Sequence, residues 1–367
     1  MNAPLRSGGE RGDIAVVLLG VGGVGRALLR LLASQAGACV RLVGIADSRR
    51  QLADAAGLSA KIAAARLAQD GTGRDDRALL DALDLGGAAR RVIVDATASG
   101  AVASRHAAWL AAGYDVVTAN KSAAAGSLRD WRALRRACVR GAIYGDAATV
   151  GAGLPVLATV RRLRACGDAP VAIEGVFSGS LSWLFNRYDG RRPFSELLRE
   201  ACASSYTEPD PRDDLSGADV ARKLVILARA AGRELEVGDV DIDDPVPSPL
   251  RSGDVATFLA RADMLDAVIE QRRRQAAERG CVLRHVASFD AKGRAHVGLV
   301  AVGRDHPAAC LADTDNLFAL TTRRYRTRPL VIQGPGAGAE VTAQALLGDL
   351  LVLRAPAGAA RAARCAA

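Results

Sequence analysis

The patterned part of the chain begins with a continuous apolar run, Ile14 to Leu19, rich in β-branched residues. It is followed at once by Gly20-Val21-Gly22-Gly23-Val24-Gly25 and then by Arg26-Ala-Leu-Leu-Arg-Leu-Leu-Ala33 at helical spacing. An unbroken apolar run, a glycine cluster and a 3.6-residue period predict strand, turn and helix in that order. Further short strands are expected at Arg41 to Ala46, which runs into Asp47, at Val92 to Val94 and at Val116 to Thr118, each entering a polar loop. That spacing suits repeated strand–helix units around a parallel sheet.

Past Pro155 the pattern changes. Val171 to Phe177, Cys281 to Phe289 and Ala295 to Val302 alternate or run apolar with strand-forming residues, and Asp290-Ala-Lys-Gly293 between the last two is a hairpin signal. Helical patterns at Phe194 to Ala203 and Ser216 to Ala231 separate the first of these strands from the others. A last segment, Pro329 to Leu353, reads as a strand, the loop Gly334-Pro-Gly-Ala-Gly338, and a helix from Glu340. The fold class expected is α/β: a Rossmann-type parallel-sheet domain over 13–155 and an α+β domain with a mixed sheet, helices on one face, over 156–328. A C-terminal segment, 329–367, is expected to return to the first domain, and a flexible tail, 1–12, precedes it.

Composition supports two packed units, since 367 residues at half apolar content bury enough surface for both. No apolar run approaches the roughly 20 residues of a membrane-spanning helix, and Met1 to Gly12 lacks the apolar core of a secretory signal. A soluble, cytoplasmic protein with no membrane partner is expected. Seven cysteines, at 39, 138, 166, 202, 281, 310 and 365, show no Cys-x-x-Cys spacing and read as reduced structural thiols. The net charge of +9 comes from arginines spread along the chain with little aromatic interleaving, and the runs Arg272 to Arg274 and Arg323 to Arg328 read as solvated faces. No nucleic-acid partner is expected. More telling is that 45 of the 49 basic residues are Arg and only four are Lys: Lys61, Lys121, Lys223 and Lys292. A chain that writes nearly every cation as Arg keeps Lys where an ammonium that can release its proton is needed, so each Lys is a candidate for chemistry. Lys292, beside Gly293 in the hairpin turn, reads as an accidental survivor.

The glycine cluster carries the first functional reading. Gly20 suits a tight turn, Gly22 a close backbone approach to a pyrophosphate and Gly25 close packing of helix on strand. Val21, Gly23 and Val24 complete the turn, and the phosphates then meet a helix N-terminus. Asp47, 22 residues after Gly25, stands at the spacing of a ribose contact. The chain is therefore read as a dehydrogenase that binds NAD or NADP. Asp47 favours a free 2′-hydroxyl, whereas Arg49 and Arg50 suit a 2′-phosphate, or are simply two exposed arginines at a helix start; the balance leans to NADP with NAD usable.

The stretch Tyr206-Thr-Glu-Pro-Asp-Pro-Arg-Asp-Asp-Leu-Ser-Gly-Ala-Asp-Val-Ala-Arg-Lys223 closely resembles the signature of homoserine dehydrogenases, whose Asp-Pro-x-x-Asp-Leu-x-Gly-x-Asp-x-x-x-Lys falls on Asp210 to Lys223. The resemblance extends to Val117-Thr-Ala-Asn-Lys121, Thr149-Val-Gly-Ala-Gly-Leu-Pro155, Ile173-Glu-Gly-Val-Phe-Ser-Gly-Ser-Leu-Ser182 and Gln333-Gly-Pro-Gly-Ala-Gly-Ala-Glu-Val-Thr-Ala343. It implies reversible interconversion of L-homoserine and L-aspartate 4-semialdehyde with NAD(P), on the route to threonine, methionine and isoleucine. It also implies a short form without a fused kinase or regulatory domain, and a homodimer formed through the second domain.

Reducing an aldehyde needs a proton for the nascent alkoxide, and a lysine supplies both the proton and charge stabilisation. The resemblance places Lys223 at the reacting oxygen as acid/base and Lys121 beside the nicotinamide and the same oxygen. Glu208, Asp214 and Asp219 match positions that bind the substrate's α-ammonium, with Tyr206, Gly179 and Ser180 completing the pocket. Each acid also has a plain structural reading: Ser216 to Asp219 as a capping box, Asp219 and Lys223 as an i, i+4 pair, Asp213 and Asp214 at a helix entrance. Thr97 and Ser99 fall where the family's loop lies along the nicotinamide ribose, or form an ordinary Ser/Thr turn. Asn120 accompanies Lys121 at the cofactor, and Gly336 is expected to close over it.

Two departures stand out. Ala147, next to Asp146, occupies a place where the family has a Glu that helps hold a monovalent cation, so a Na⁺ or K⁺ site rests on the carbonyls of Val150, Ala152 and Leu154 alone. Ser205 replaces a usual Gly, which strains that turn if φ is positive there. Such drift keeps open a dehydrogenase of another small amino or hydroxy acid, and a dinucleotide sensor without turnover is the reading of a different class.

Overall fold

The computed structural model describes residues 14–353; the tail expected at 1–12, the end of the C-terminal segment and Cys365 lie outside the described residues. The chain gathers into two units. Of the described residues, the first holds Ile14–Ala123, Arg132–Ala148 and Thr342–Leu353, and the second holds Ala124–Trp131 and Thr149–Val341.

In the first unit the strands are β1 (Ile14–Leu19), β2 (Val40–Ala46), β3 (Arg50–Ala53), β4 (Thr72–Gly73), β5 (Arg90–Asp95), β6 (Asp115–Thr118) and β7 (Tyr144–Gly145), in sheet order β4-β3-β2-β1-β5-β6-β7. β1 is buried at every residue because it is paired in parallel on both sides, with β2 and β5, which is what an apolar run without alternation requires. The helix Gly23–Leu32 buries Ala27, Leu28, Leu29 and Leu32. β3 and β4 run antiparallel at the edge, where the sequence suggested a helix start at Arg49 and Arg50. The cause is local: Asp47 Oδ1 accepts the backbone N–H groups of both Arg49 and Arg50, at 2.7 Å each, and turns the chain back on β2 instead of letting it coil.

The second unit is built on β8 (Ala172–Val176), β9 (Val240–Ile242), β10 (Cys281–Phe289), β11 (Ala295–Gly303), β12 (Asp315–Thr321) and β13 (Leu330–Pro335), in order β13-β12-β8-β10-β11-β9. β10 and β11 form the expected hairpin, closed by Asp290, whose Oδ1 accepts N–H groups from Lys292 and Arg294. β9 joins β11 in parallel, so the sheet is mixed. The expected return of the C-terminal segment begins later than 329. Leu330–Pro335 pairs antiparallel with β12 over its whole length and stays in the second unit; the chain rejoins the first unit only from Thr342, within the helix Ala339–Val352.

The helix that carries Lys223, Ala218–Ala230, is buried along nearly all of one side and its far end. The capping box expected at Ser216 to Asp219 does not form: the N-cap is Gly217, with φ +68° and no side-chain cap. Glycine is required there twice over, since a Cβ would also stand 2.9 Å from Val297 Cγ1 and 3.7 Å from Nε2 of His285. His285, on β10, is buried with Nε2 unpartnered, and loss of water around the ring pulls its pKa down from 6.5 to about 4. Among the described residues, no helix is long and apolar enough to cross a membrane.

A His held neutral in the folded state but free to protonate when unfolded makes acid destabilising. Stability is full above the unfolded pKa and falls as pH drops from 6.5 through about 4, by up to about 3 kcal/mol. Urea unfolding between pH 8 and 4 measures this, and His285→Leu is expected to flatten the slope; an unchanged slope would reject the assignment.

Candidate active site

The glycine turn of the first unit shows three different spatial demands. Gly20 has φ +97°, and a Cβ on it would meet Ala96 O at 2.8 Å and Thr97 Cγ2 at 2.9 Å. A Cβ on Gly25 would overlap the Gly20 carbonyl oxygen, so the helix lies directly on the turn. Gly22 has nothing within 4 Å of where its Cβ would be, and as the N-cap of Gly23–Leu32 it places no side chain over the helix's first N–H groups. Val21 to Val24 are partly or fully exposed. Open space faced by uncapped donors fits a pyrophosphate, and the residues present fit a dinucleotide.

After β2, the N–H groups of Arg49 and then Arg50 hold the Asp47 carboxyl below its ordinary pKa. Arg50 is tied by Nη1 to Ala68 O at 2.6 Å, and Arg74 Nη1 to Asp47 O at 2.6 Å. Arg49 presents an exposed guanidinium beside Asp47.

At the other end of the turn, Thr97 donates N–H and Oγ1–H to Asp95 Oδ1 (2.8 and 2.7 Å), Ser99 N–H donates to Thr97 Oγ1 (3.1 Å), and Ser99 Oγ caps the helix Gly100–Ala103. The Ser/Thr turn is therefore real, and it packs against Gly20. Asn120 does not offer a spare amide: Nδ2 donates to Asp95 Oδ2 (3.0 Å) and Ser99 O (2.9 Å), and Oδ1 accepts Ser122 N–H. It ties the Thr97 loop to the loop entering Lys121, which is half-buried at the start of the helix Lys121–Ala124.

In the second unit, β8 ends at Val176 and the chain enters the helix Gly179–Arg187, capped by Ser178. Lys223 Nζ donates to Phe177 O at 2.8 Å and pairs with Asp219 at 3.0 Å, its side chain only 13% exposed. Two of the ammonium's three hydrogens are thereby placed. Ser180 Oγ–H donates to Asp214 Oδ1 at 2.5 Å, and Glu208 N–H donates to Oδ2 at 2.8 Å. Burial nevertheless raises the Asp214 pKa, outweighing both hydrogen bonds. Glu208 is exposed, and the Tyr206 ring lies 5.1 Å from that of Trp183. Ser205 does take a left-handed φ of +57° where a helix ends and glycine is favoured, a strain of about 1 kcal/mol. A Cβ at Gly336 would overlap the buried amide of Asn316, so packing inside this unit accounts for that glycine.

For the expected cation site, Leu154 O already accepts Val156 N–H at 2.8 Å, and no group of three or more His, Cys, Asp or Glu among the described residues is placed to hold a metal.

Two family models match the chain: homoserine dehydrogenase over residues 155–351 and homoserine dehydrogenase, NAD binding domain, over 20–142. The chain belongs to the homoserine dehydrogenase family. It is 38% identical over 356 residues to the homoserine dehydrogenase of Emericella nidulans, covering 91% of this chain and 96% of that one. It is 43% identical over 345 residues to the bifunctional aspartokinase/homoserine dehydrogenase 2 of Escherichia coli, covering 92% of this chain. It spans 43% of that relative's length. A crystal structure of a Candida auris protein of unknown function superposes with a TM-score of 0.85 at 33% identity, covering 92% and 97% of the two chains.

The structure brings Gly20, Thr97 and Asn120 together within one unit, and Ser180, Glu208, Asp214, Asp219 and Lys223 within the other; Lys121 and Lys223 belong to different units. Sequence reading missed Asp95 and His106, on which the Thr97 loop rests, and Ser178, 2.8 Å from Ser180. Asp95 carried a signal, a carboxylate closing an apolar strand; His106 carried none.

An Asp214 raised by burial must be deprotonated to receive an ammonium. Its affinity for an amino-acid ligand is expected to fall as pH drops through a range above the ordinary carboxylate pKa. KM for L-homoserine measured from pH 9 to 5 should rise at the acid end, and Asp214→Asn should be poor throughout and lose that rise; an acid limb unchanged in the variant would assign it elsewhere.

Proposed function

We propose that the chain interconverts L-homoserine and L-aspartate 4-semialdehyde with NAD(P). The observation that carries the reading is the setting of Lys223, an ammonium held between Asp219 and the Phe177 carbonyl beside the Ser180–Asp214 pair. The nicotinamide supplies or accepts the hydride when the dinucleotide is bound. Lys223, with one N–H left to aim at a substrate oxygen, gives the alkoxide its proton in reduction and takes it back in oxidation. Lys121, a second cation, serves the nicotinamide end of the dinucleotide site in its own unit. Asp214, aligned by Ser180, and the exposed Glu208 receive the α-ammonium, and Asp219 keeps the Lys223 side chain extended.

Gly20 to Gly25 hold the pyrophosphate and Thr97 and Ser99 lie along the nicotinamide ribose. Arg49 is the guanidinium best placed to meet a 2′-phosphate, so NADP is preferred and NAD accepted. The enzyme acts as a homodimer in the cytoplasm; the six described cysteines are not joined in disulfides, which suits a reducing compartment. A Na⁺ or K⁺ requirement is not part of the reading, given Ala147.

Purified protein is expected to reduce NADP⁺, and more slowly NAD⁺, with L-homoserine at alkaline pH, with little response to Na⁺ or K⁺. Lys223→Ala is expected to lose about 10²-fold or more in kcat, and Lys223→Arg to stay low because a guanidinium keeps its proton. Turnover near wild type in either variant would reject the acid/base role; no oxidation of homoserine with either cofactor would reject the reaction.

A further inference from the structure

The first unit contains a buried polar chain that the reaction above does not use. Asp95, the last residue of β5, is fully buried and receives four hydrogen bonds on its carboxylate. Oδ1 accepts Thr97 N–H and Oγ1–H; Oδ2 accepts Asn120 Nδ2 at 3.0 Å and His106 Nε2 at 3.0 Å. His106, also fully buried, lies in the helix His106–Ala111 and meets the Tyr144 hydroxyl through Nδ1 at 3.2 Å. The His106 Nε2–H donates to Asp95, and Nδ1 faces the Tyr144 hydroxyl, so both ring nitrogens are engaged and the ring is held between the two partners. The backbone joins in: Asp95 O accepts Ala119 N–H at 3.0 Å and Thr118 Oγ1–H at 3.1 Å.

Two loops thus meet on one carboxylate, Thr97 to Ser99 and Thr118 to Lys121, and the first is pressed against Gly20. A saturated acceptor with four converging donors has little freedom to rotate, and rotation would release Thr97 and Asn120 together. A core position needing only bulk would be filled at less desolvation cost by an apolar side chain.

We infer that His106, through Asp95 and fixed by Tyr144, is the positioning residue for the nicotinamide half of the dinucleotide site, setting the Thr97–Ser99 loop and the Asn120-Lys121 pair while leaving the adenosine half untouched. This rests on the reading that Thr97 and Ser99 line the nicotinamide ribose. The His106 ring meets Asp95, Tyr144 and Trp109, whereas the path of polar contacts to Asp47 starts from the neighbouring Arg105 and runs through Asp76 and Arg74, so a change confined to the ring leaves the Asp47 turn in place.

The test compares binding of NADPH with that of 2′-phospho-ADP, which lacks the nicotinamide riboside, to the full chain by calorimetry. His106→Phe is expected to weaken NADPH about tenfold and to leave 2′-phospho-ADP within about twofold. His106→Gln, whose amide N–H can replace Nε2–H, should recover most of the loss. Tyr144→Phe, which keeps the ring and removes only the hydroxyl, should show a smaller loss of the same selectivity, about threefold, and carries the test should His106→Phe not fold. Equal weakening of both ligands, or none of either, would overturn the inference. Wild-type protein that binds NADPH but does not oxidise homoserine would reject the proposed reaction while the binding comparison still decides the role of His106.

Discussion

There is no room for a side chain between Gly20 and Gly25, and most of what the first unit does follows from that contact. With the Gly20 carbonyl where a Cβ of residue 25 would be, the helix Gly23–Leu32 starts hard against the end of β1 and its uncapped N–H groups face outward beside Gly22. On the other flank, Ala96 and Thr97 fill the space beside Gly20. The turn is therefore a spacer of fixed thickness, with the Leu28–Leu29 side of the helix below and the Thr97 loop alongside. A methyl group at either glycine would force backbone against backbone, a displacement that core packing density does not absorb. The open space beside Gly22 is thus a consequence of how closely three backbone segments approach.

The second unit reaches its chemistry by a different route, through burial. The helix of Lys223 is enclosed over Leu224 to Ala230, so its first turns are rigidly presented, and Gly217 admits them against β11 without a cap. Partial loss of water makes the Asp219 contact and the Phe177 carbonyl count for more than they would on a surface. The same desolvation raises the Asp214 pKa, so Ser180 and the Glu208 N–H work to keep a carboxylate available where burial opposes it.

What could be read from the chain divides along the range of the interaction. The β1 strand, the glycine turn, the β10–β11 hairpin and the helix Phe194–Ala203 are set by neighbours in sequence, and their limits agree closely with the periodicity. The signature from Tyr206 to Lys223 was legible as a resemblance, and the positive φ of Ser205 followed from one residue type out of place. The antiparallel turn at Arg50 was hidden because an Asx turn and a helix N-terminus use the same residue types. The pairing of β12 with β13, which keeps Leu330–Pro335 in the second unit, is a partnership that no local pattern encodes. His106 belongs to the same class, since its meaning arises only where β5, β6 and β7 bring Asp95, Asn120 and Tyr144 around it.

The scarcity of lysine can now be given a physical reading at one position. Lys223 sits with its head 2.8 Å from one carbonyl and 3.0 Å from one carboxylate, on a side chain mostly shielded from water. A guanidinium at that place would have five N–H groups to satisfy in a space arranged for three, and it would not give up its proton at any pH the fold tolerates. Elsewhere the chain writes its cations as arginine freely: Arg229 and Arg284 lie buried against carbonyls, and Arg272 pairs with Asp243. Those positions ask only for charge and a fork of donors. Lys292, whose backbone N–H rather than its ammonium closes the hairpin on Asp290, shows that a lysine can also survive where nothing demands it, so the compositional bias nominates candidates and the surroundings of each ammonium choose among them.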